Sequence, residues 1–451
     1  MKRQIKRRRL ISANTKRKHK PPSNDTQSDD IPEYCVSRLP EDIIVNIFSR
    51  LTLREAARTS VVSTRWRYLW TYTSNLAFDA PNKLWRIGRN NSKRSKYWTW
   101  VNKVLEMHRG PHMNVFKIHF DLDSGEQTYM TNWINTAFAK GVQKLELNLC
   151  GFIGYQPWEF RFPVECYNNL KTSVRSLRSL ILRNVDVPIE LIELLIHNCP
   201  HLERLSVAYS SRLSSFKIVD SSIPLKYLDI NSCDSLKEIE IMVPSLLSFR
   251  YYGQPIKLQL ENVPLLRDVF IGGCDDVQLR NYLDPITCLL PQLETLELHL
   301  CLEEGSKTIL PCELPKLRHL TISADSIHDS SILDLTQMIT ACPFLHKFTL
   351  KIEDDTYNNQ GSITHQFPKI SHQYLKVVEF IGSVGYPVDL QLASHLLETA
   401  TMLEQFIVNP SCPFFMGRPY DFECEKDKQA TRKRAEHLKK IIPQGVELVI
   451  M

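Results

Sequence analysis

The chain has 451 residues, 43% of them apolar and 24% charged, with 56 Lys and Arg against 50 Asp and Glu. This is the balance of a water-soluble globular chain, and it excludes collagen-like, wholly disordered and bilayer-embedded classes. Ten of the basic residues and no acid fall in residues 1–20, so the rest of the chain carries 46 basic against 50 acidic residues, a balance of −4. A mildly acidic body lacks the broad positive surface that nucleic-acid binding domains present.

Residues 1–36 read as a disordered basic tail: Pro21-Pro22, Asp25, Asp29, Asp30 and Glu33 follow the basic run, with almost nothing apolar to offset ordering entropy. Lys6, Arg7, Arg8 and Arg9, then Lys16, Arg17 and Lys18, form two clusters. They suit a bipartite nuclear-import signal or, equally, a solvated arm that touches RNA without specificity. No apolar stretch follows Met1–Arg9, which argues against a secretory signal, and no run nears the ~20 residues of a bilayer span. The expected location is nucleus and/or cytoplasm. In that reducing setting the twelve scattered cysteines, none in a Cys-x-x-Cys pair, act as small core residues.

Residues 37–80 change character. Leu39-Pro40-Glu41-Asp42 is a helix start, with Pro early and acids in the first turn. Ile43, Ile44, Ile47, Phe48 and Leu51 follow at amphipathic spacing. Thr52-Leu53-Arg54-Glu55 is a capping box opening a second helix. Ser63 is read as opening a third, with Trp66, Leu69 and Trp70 on one face. Three short helices cannot enclose a core alone, so some of these groups must face something else.

The motifs Leu39-Pro40-Glu41-Asp42-Ile43-Ile44, Ser49-Arg50-Leu51 and Val62-Ser63-Thr64-Arg65-Trp66-Arg67-Tyr68-Leu69 resemble the F-box, departing from its pattern at Ala56 and Thr64. The resemblance implies docking on the Skp-type adaptor, and through it a cullin, of a cullin–RING ubiquitin ligase. The adaptor-binding residues it implies are Leu39, Pro40, Ile43, Ile47, Leu51, Val62, Trp66 and Leu69. The plainer reading is a three-helix cap on the next domain of the chain.

Residues 81–112 are a connector helix and loop. Trp85, Trp98 and Trp100 sit among Lys83, Arg86, Arg89, Lys93, Arg94 and Lys96. Such interleaving can grip single-stranded nucleic acid. The favoured reading is domain packing by a helix through Trp100, Val101, Val104 and Leu105.

From residue 113 a pattern of apolar-x-x-apolar-x-apolar recurs twelve times, from Val115/Ile118/Phe120 and Val142/Leu145/Leu147 to Leu375/Val378/Phe380 and Leu403/Phe406/Val408. The last two positions lie two apart, so both face one side of a short strand. One strand can neither pair its backbone nor bury that face alone, whereas stacked copies do both. The pattern resembles leucine-rich repeats. It predicts an α/β solenoid, an irregular horseshoe with a parallel sheet on its concave face, over residues 113–366. A propeller, the rival, needs four strands per period. Leu236/Ile239/Ile241 is an extra match and is read as a convex-side strand.

The residues alternating with the buried ones include Arg250, Tyr252, Phe270, Glu297 and His299, which are candidate target-binding residues because aromatics and Arg on rigid surfaces are common hot spots. For any single one of them, cross-strand packing alone is the favoured reading. Residues 367–451 resemble the FBD region of plant F-box proteins in Leu375–Phe380, Gly382, Gly385, Leu390, Leu396-Leu397, Ala400 and Leu403–Phe406. They are expected to continue and cap the repeats.

There is no Gly-rich phosphate loop, His-Glu-x-x-His or Gly-x-Ser-x-Gly motif, and His299 with Cys301 offers only half a metal site. The expectation is a non-catalytic specificity subunit of a Skp–cullin–F-box ligase, without cofactor or metal and without membrane contact. Its F-box docks the adaptor and its repeats hold an unknown target protein. The alternatives are a ligase-independent scaffold and a nucleic-acid binder working through the tail and connector.

Overall fold

The computed structural model describes residues 39–79, 91–120, 124–149, 160–163, 174–219, 222–273, 279–302, 310–327, 331–352, 371–413 and 425–451. The import clusters Lys6, Arg7, Arg8, Arg9, Lys16, Arg17 and Lys18, together with Trp85, lie outside them. The chain divides into Met1–Pro40, of which only Leu39 and Pro40 are described, and Glu41–Met451.

The larger unit opens with helices α1 (Glu41–Phe48) and α2 (Leu53–Arg58). Thr52 and Glu55 form the capping box: each backbone N–H is accepted by the other's side chain, at 3.0 and 3.3 Å. The third helix read from Ser63 does not form. Short 3-10 turns at Thr59–Val61 and Leu69–Tyr72 replace it. Hydroxyls compete with the helix ladder here: Thr59 donates to the Ala56 carbonyl, Ser63 accepts the Arg65 N–H and Thr71 donates to the Tyr68 carbonyl.

Among the described residues, fourteen parallel strands then form one sheet. In chain order the strands are β1 (Asn75–Asp79), β2 (Val115–His119), β3 (Lys144–Asn148), β4 (Ser179–Arg183), β5 (Arg204–Ala208), β6 (Ser215–Val219), β7 (Tyr227–Asn231), β8 (Glu238–Met242) and β9 (Ser248–Tyr252). They continue with β10 (Lys257–Glu261), β11 (Asp268–Gly272), β12 (Thr295–Leu302), β13 (His319–Ile327), β14 (Lys347–Ile352), β15 (Val377–Gly382), β16 (Gln405–Asn409) and β17 (Glu447–Ile450). All but β6, β8 and β10 belong to the main sheet, in sequence order; those three pair in parallel as a second, smaller sheet. The extra match Leu236/Ile239/Ile241 is thus β8.

Leucine-rich repeats are the fold, with the sheet running further than the pattern indicated. It starts at Asn75 rather than after residue 113 and ends with β17. The first repeat is also shifted: Phe116 and Ile118 pair with Leu145 and Leu147, so the triplet is Met113/Phe116/Ile118, not Val115/Ile118/Phe120. A slip of two residues keeps the same strand face, which is why spacing alone cannot separate the two.

Helices cover the buried face. After α3 (Asn91–Met107) comes α4 (Gln127–Ala139), which buries Met130, Trp133, Ile134, Ala137 and Phe138 at i, i+3, i+4, i+7 and i+8. α5 (Ile189–Asn198), α6 (Leu279–Leu283), α7 (Ser331–Thr340) and α8 (Pro387–Thr399) follow, with buried residues such as Leu191, Leu283, Met338 and Leu392. Cys199 and Cys342, which precede equivalent strands, are fully buried, and burial pushes both thiols up to about 12. They remain neutral fillers. No helix among the described residues is long and apolar enough to cross a membrane.

Two connector tryptophans, Trp98 and Trp100, pack against the core. Trp98 stacks on Tyr129 at 4.6 Å, and Trp100 meets Phe78 edge-on at 5.1 Å. At the far end, α9 (Glu425–Ala435) buries Thr431 and Ala435 and leans on α8 through Arg434, whose guanidinium lies over Tyr386 at 4.2 Å.

Beneath Arg434, Asp389 is buried and its Oδ2 accepts the Gly385 N–H at 2.6 Å. Burial pushes this carboxyl up to about 7, against the opposing pull of backbone N–H groups and of Arg434. A pKa higher in the folded chain means the fold holds a proton that the unfolded chain has lost. Asp389 therefore contributes stability fully below its ordinary value of 3.8, and that contribution is lost as pH rises through about 7. Asp389→Asn, which keeps the acceptor and removes the charge, is expected to raise the melting temperature more at pH 8 than at pH 5. An equal shift at both pH values contradicts this.

Candidate functional site

Two surfaces carry the residues singled out in the sequence. On α1 the apolar residues separate into two stripes. Ile44 and Phe48 are 1% and 2% exposed and face the chain's own core, while Ile43 and Ile47 are 43% and 42% exposed. Leu51, one turn further on, continues the outer stripe. Val61, which ends the 3-10 turn Thr59–Val61, and Val62 after it are 87% and 67% exposed. Covering such a group removes roughly 1–2 kcal/mol of unfavourable hydration per residue.

Trp66 is half-buried and meets Phe48 edge-on at 5.5 Å, so it braces the inner stripe. Its buried Nε1–H has no acceptor among the described residues. Leu69 departs from the expectation: it is 7% exposed, because the 3-10 turn rotates it away from the outer stripe and into the core. Leu39 is half-buried and Pro40 exposed. The segment is held on the sheet by Ser49, whose hydroxyl accepts the Ser74 N–H at 3.1 Å and whose carbonyl accepts the Asn75 side-chain amide at 2.7 Å.

The second surface is the open face of β9 to β14. Register places Arg250, Phe270, Glu297, Thr321 and Thr349 in one row, and Tyr252, Gly272, His299, Ser323 and Lys351 in the next. These residues satisfy one another. The Glu297 carboxylate takes Arg250 at 2.9 Å and Lys351 at 2.5 Å. Although burial raises its pKa, the two cations outweigh that and hold it below the usual carboxylate range. The Arg250 guanidinium lies over Phe270 at 4.3 Å, Phe270 stacks on Tyr252 at 6.3 Å, and Tyr252 meets His299 edge-on at 5.2 Å. Gly272 leaves the room this needs, since a Cβ there would lie 2.6 Å from His299. His299 is 8% exposed and offers little to a partner, a correction to its place among the contact candidates. The cluster is first a cross-strand brace, with Arg250 as its exposed member. The Cys301 side chain lies outside the described residues.

Comparison with known proteins gives the same division. The family model described as "At1g61320/AtMIF1, LRR domain" matches residues 167–442, more than half of the chain. The chain belongs to this leucine-rich-repeat family. An F-box domain model matches residues 36–77, ending within β1. Among relatives of this family member, the F-box/FBD/LRR-repeat protein At1g13570 of Arabidopsis thaliana is 25% identical over 419 residues, covering 83% of the chain and 91% of the relative. The F-box/LRR-repeat protein At3g59210 of Arabidopsis thaliana is 24% identical over 441 residues, covering 84% and 88%. An F-box is in general a domain that binds a Skp-type adaptor, and F-box proteins with leucine-rich repeats generally act as non-catalytic substrate adaptors.

Proposed function

We propose that the chain is a substrate-recognition subunit of a Skp–cullin–F-box ubiquitin ligase. The observation that carries this reading is the split of α1: the inner stripe, Ile44 and Phe48, is already used by the fold, while Ile43, Ile47, Leu51, Val61 and Val62 face solvent. A single exposed aliphatic needs no explanation, but a clustered set on an F-box calls for a partner.

In this reading the adaptor covers the outer stripe and the cullin is reached through it. The target is held by the repeats, whose fourteen strands at ~4.8 Å give an arc of roughly 62 Å. Bond making and breaking occur on other subunits. The chain contributes proximity, raising the local concentration of target lysines near the charged ubiquitin carrier. Arg250 and Phe270 remain proposed target contacts on the open face. The basic clusters at residues 6–9 and 16–18 are proposed to direct nuclear import, and a fusion lacking residues 1–20 that still enters the nucleus contradicts that.

Affinity purification of the intact chain with the proteasome blocked tests the reading. Recovery of a Skp-type adaptor and a cullin together with a protein that accumulates in ubiquitylated form is expected. Purification without adaptor or cullin favours a ligase-independent scaffold and overturns it.

A further inference from the structure

The rim where the strands begin carries a feature distinct from both surfaces. Each repeat places one residue immediately before its first buried leucine. Two neighbouring repeats have polar side chains there, Gln292 and Lys316. The next three have Phe344, Tyr374 and Met402, exposed by 44%, 43% and 54%. The rings of Phe344 and Tyr374 are 5.0 Å apart, and His346 lies 6.2 Å from Tyr374. Beside them is a cleft of about 490 Å³, lined also by Pro315, Lys316, Arg318 and Glu294.

Among the described residues lining the cleft, Lys316 and Arg318 outnumber the acids. The one carboxylate among its described lining residues, Glu294, is already within 4.0 Å of Arg267. Lys316 and Arg318 are exposed and their side chains make no ion pair among the described residues. The nearby His319 imidazole is held below its usual range first by burial and then by Lys347, His346 and Arg318, against an opposing pull from Asp268. The open sheet face differs, because there Arg250, Glu297 and Lys351 satisfy one another.

This rim also carries the F-box. Its backbone carbonyls form a continuous ladder: Ser74 accepts the N–H groups of Asn114 and Val115, Glu294 those of Arg318 and His319, and Arg318 those of His346 and Lys347. Ser49, at the end of α1, anchors the first rung. From β1 to β14 is ten steps in the sheet, about 48 Å along the arc at ~4.8 Å each.

We propose that this rim cleft binds an extended acidic peptide segment of the target protein. An aromatic or large aliphatic side chain of the segment packs on Phe344 and Tyr374, a neighbouring carboxylate reaches Lys316 and Arg318, and the chain continues toward Met402. An open cleft with one apolar wall and two cations that make no ion pair among the described residues suits a peptide carrying both chemistries, because charge-assisted hydrogen bonds supply orientation and ring contact supplies area. The inference rests on the substrate-recognition reading and adds to it a site and a peptide chemistry.

The test uses the full chain bound to a Skp-type adaptor. The probe is an array of twelve-residue peptides, each with one Phe, Trp or Leu flanked within four positions by Glu or Asp, beside a matched array with Lys in place of the acids. A twelve-nucleotide oligouridine is a third arm. At least tenfold preference for the acidic array is expected. Lys316→Glu with Arg318→Glu, and separately Phe344→Ser with Tyr374→Ser, should each reduce it at least tenfold, with Lys237→Glu, at an exposed position just before β8 of the second sheet, leaving it unchanged. All five residues are on the surface, so melting temperatures should hold. Equal retention of both arrays, loss in Lys237→Glu alone, or retention of oligouridine instead of peptide overturns the proposal. Adaptor capture is read in the same preparation: capture without peptide preference removes this inference alone, while failure to capture adaptor removes the ligase reading.

Discussion

Replacing Ile43 and Ile47 by Asp in the intact chain is expected to weaken binding to a Skp-type adaptor at least 100-fold while moving the melting temperature by no more than about 2 °C. Both residues are more than two-fifths exposed, so the free chain tolerates polar groups there. In the complex each Asp would be buried without a counter-charge, which truncation and interface data put at about 2 kcal/mol or more per site. A 100-fold loss is about 2.7 kcal/mol, within reach of the pair. Ile44→Asp is the companion measurement. It lies one residue away but is 1% exposed, so it should lower stability as well as binding. Adaptor binding by the double variant that matches the unaltered chain would contradict the assignment of the outer stripe.

The second large effect is in the solenoid. Phe249→Ala is expected to cost about 3–5 kcal/mol in urea unfolding. Phe249 is fully buried on β9 and is paired in register between Leu228 and Val269. Repeat stability is close to a sum of nearest-neighbour terms, so the loss should be local. Hydrogen exchange should speed up in β7, β9 and β11 before it does so in β2 or β16. The neighbouring Arg250→Ala removes an exposed guanidinium and should cost under about 1 kcal/mol. Uniform loss of protection along the sheet would contradict a chain of nearest-neighbour contacts.

The repeats were legible because one apolar triplet recurs at every rung. Where the structure has strands that the pattern missed, the triplet is broken. The first position is Thr73 before β1, Pro255 before β10 and Gly445 before β17. Leu213/Phe216/Ile218 fits the pattern, but β6 follows β5 too closely for a full repeat and belongs to the second sheet. In the F-box the sequence marks an amphipathic helix, yet Ile43/Ile47 and Ile44/Phe48 are chemically equivalent stripes. Only packing against Trp66 decides which of them turns inward. The rim aromatics Phe344 and Tyr374 are invisible in the same way, since they align only once the strand register is known.

Titration calorimetry of the intact chain with a purified Skp-type adaptor, at several temperatures, tests the central claim most directly. The account predicts one-to-one binding with a Kd of about 1 µM or tighter and a clearly negative heat-capacity change, the mark of apolar surface leaving water. No binding at 100 µM, or binding with a heat-capacity change near zero, would contradict it.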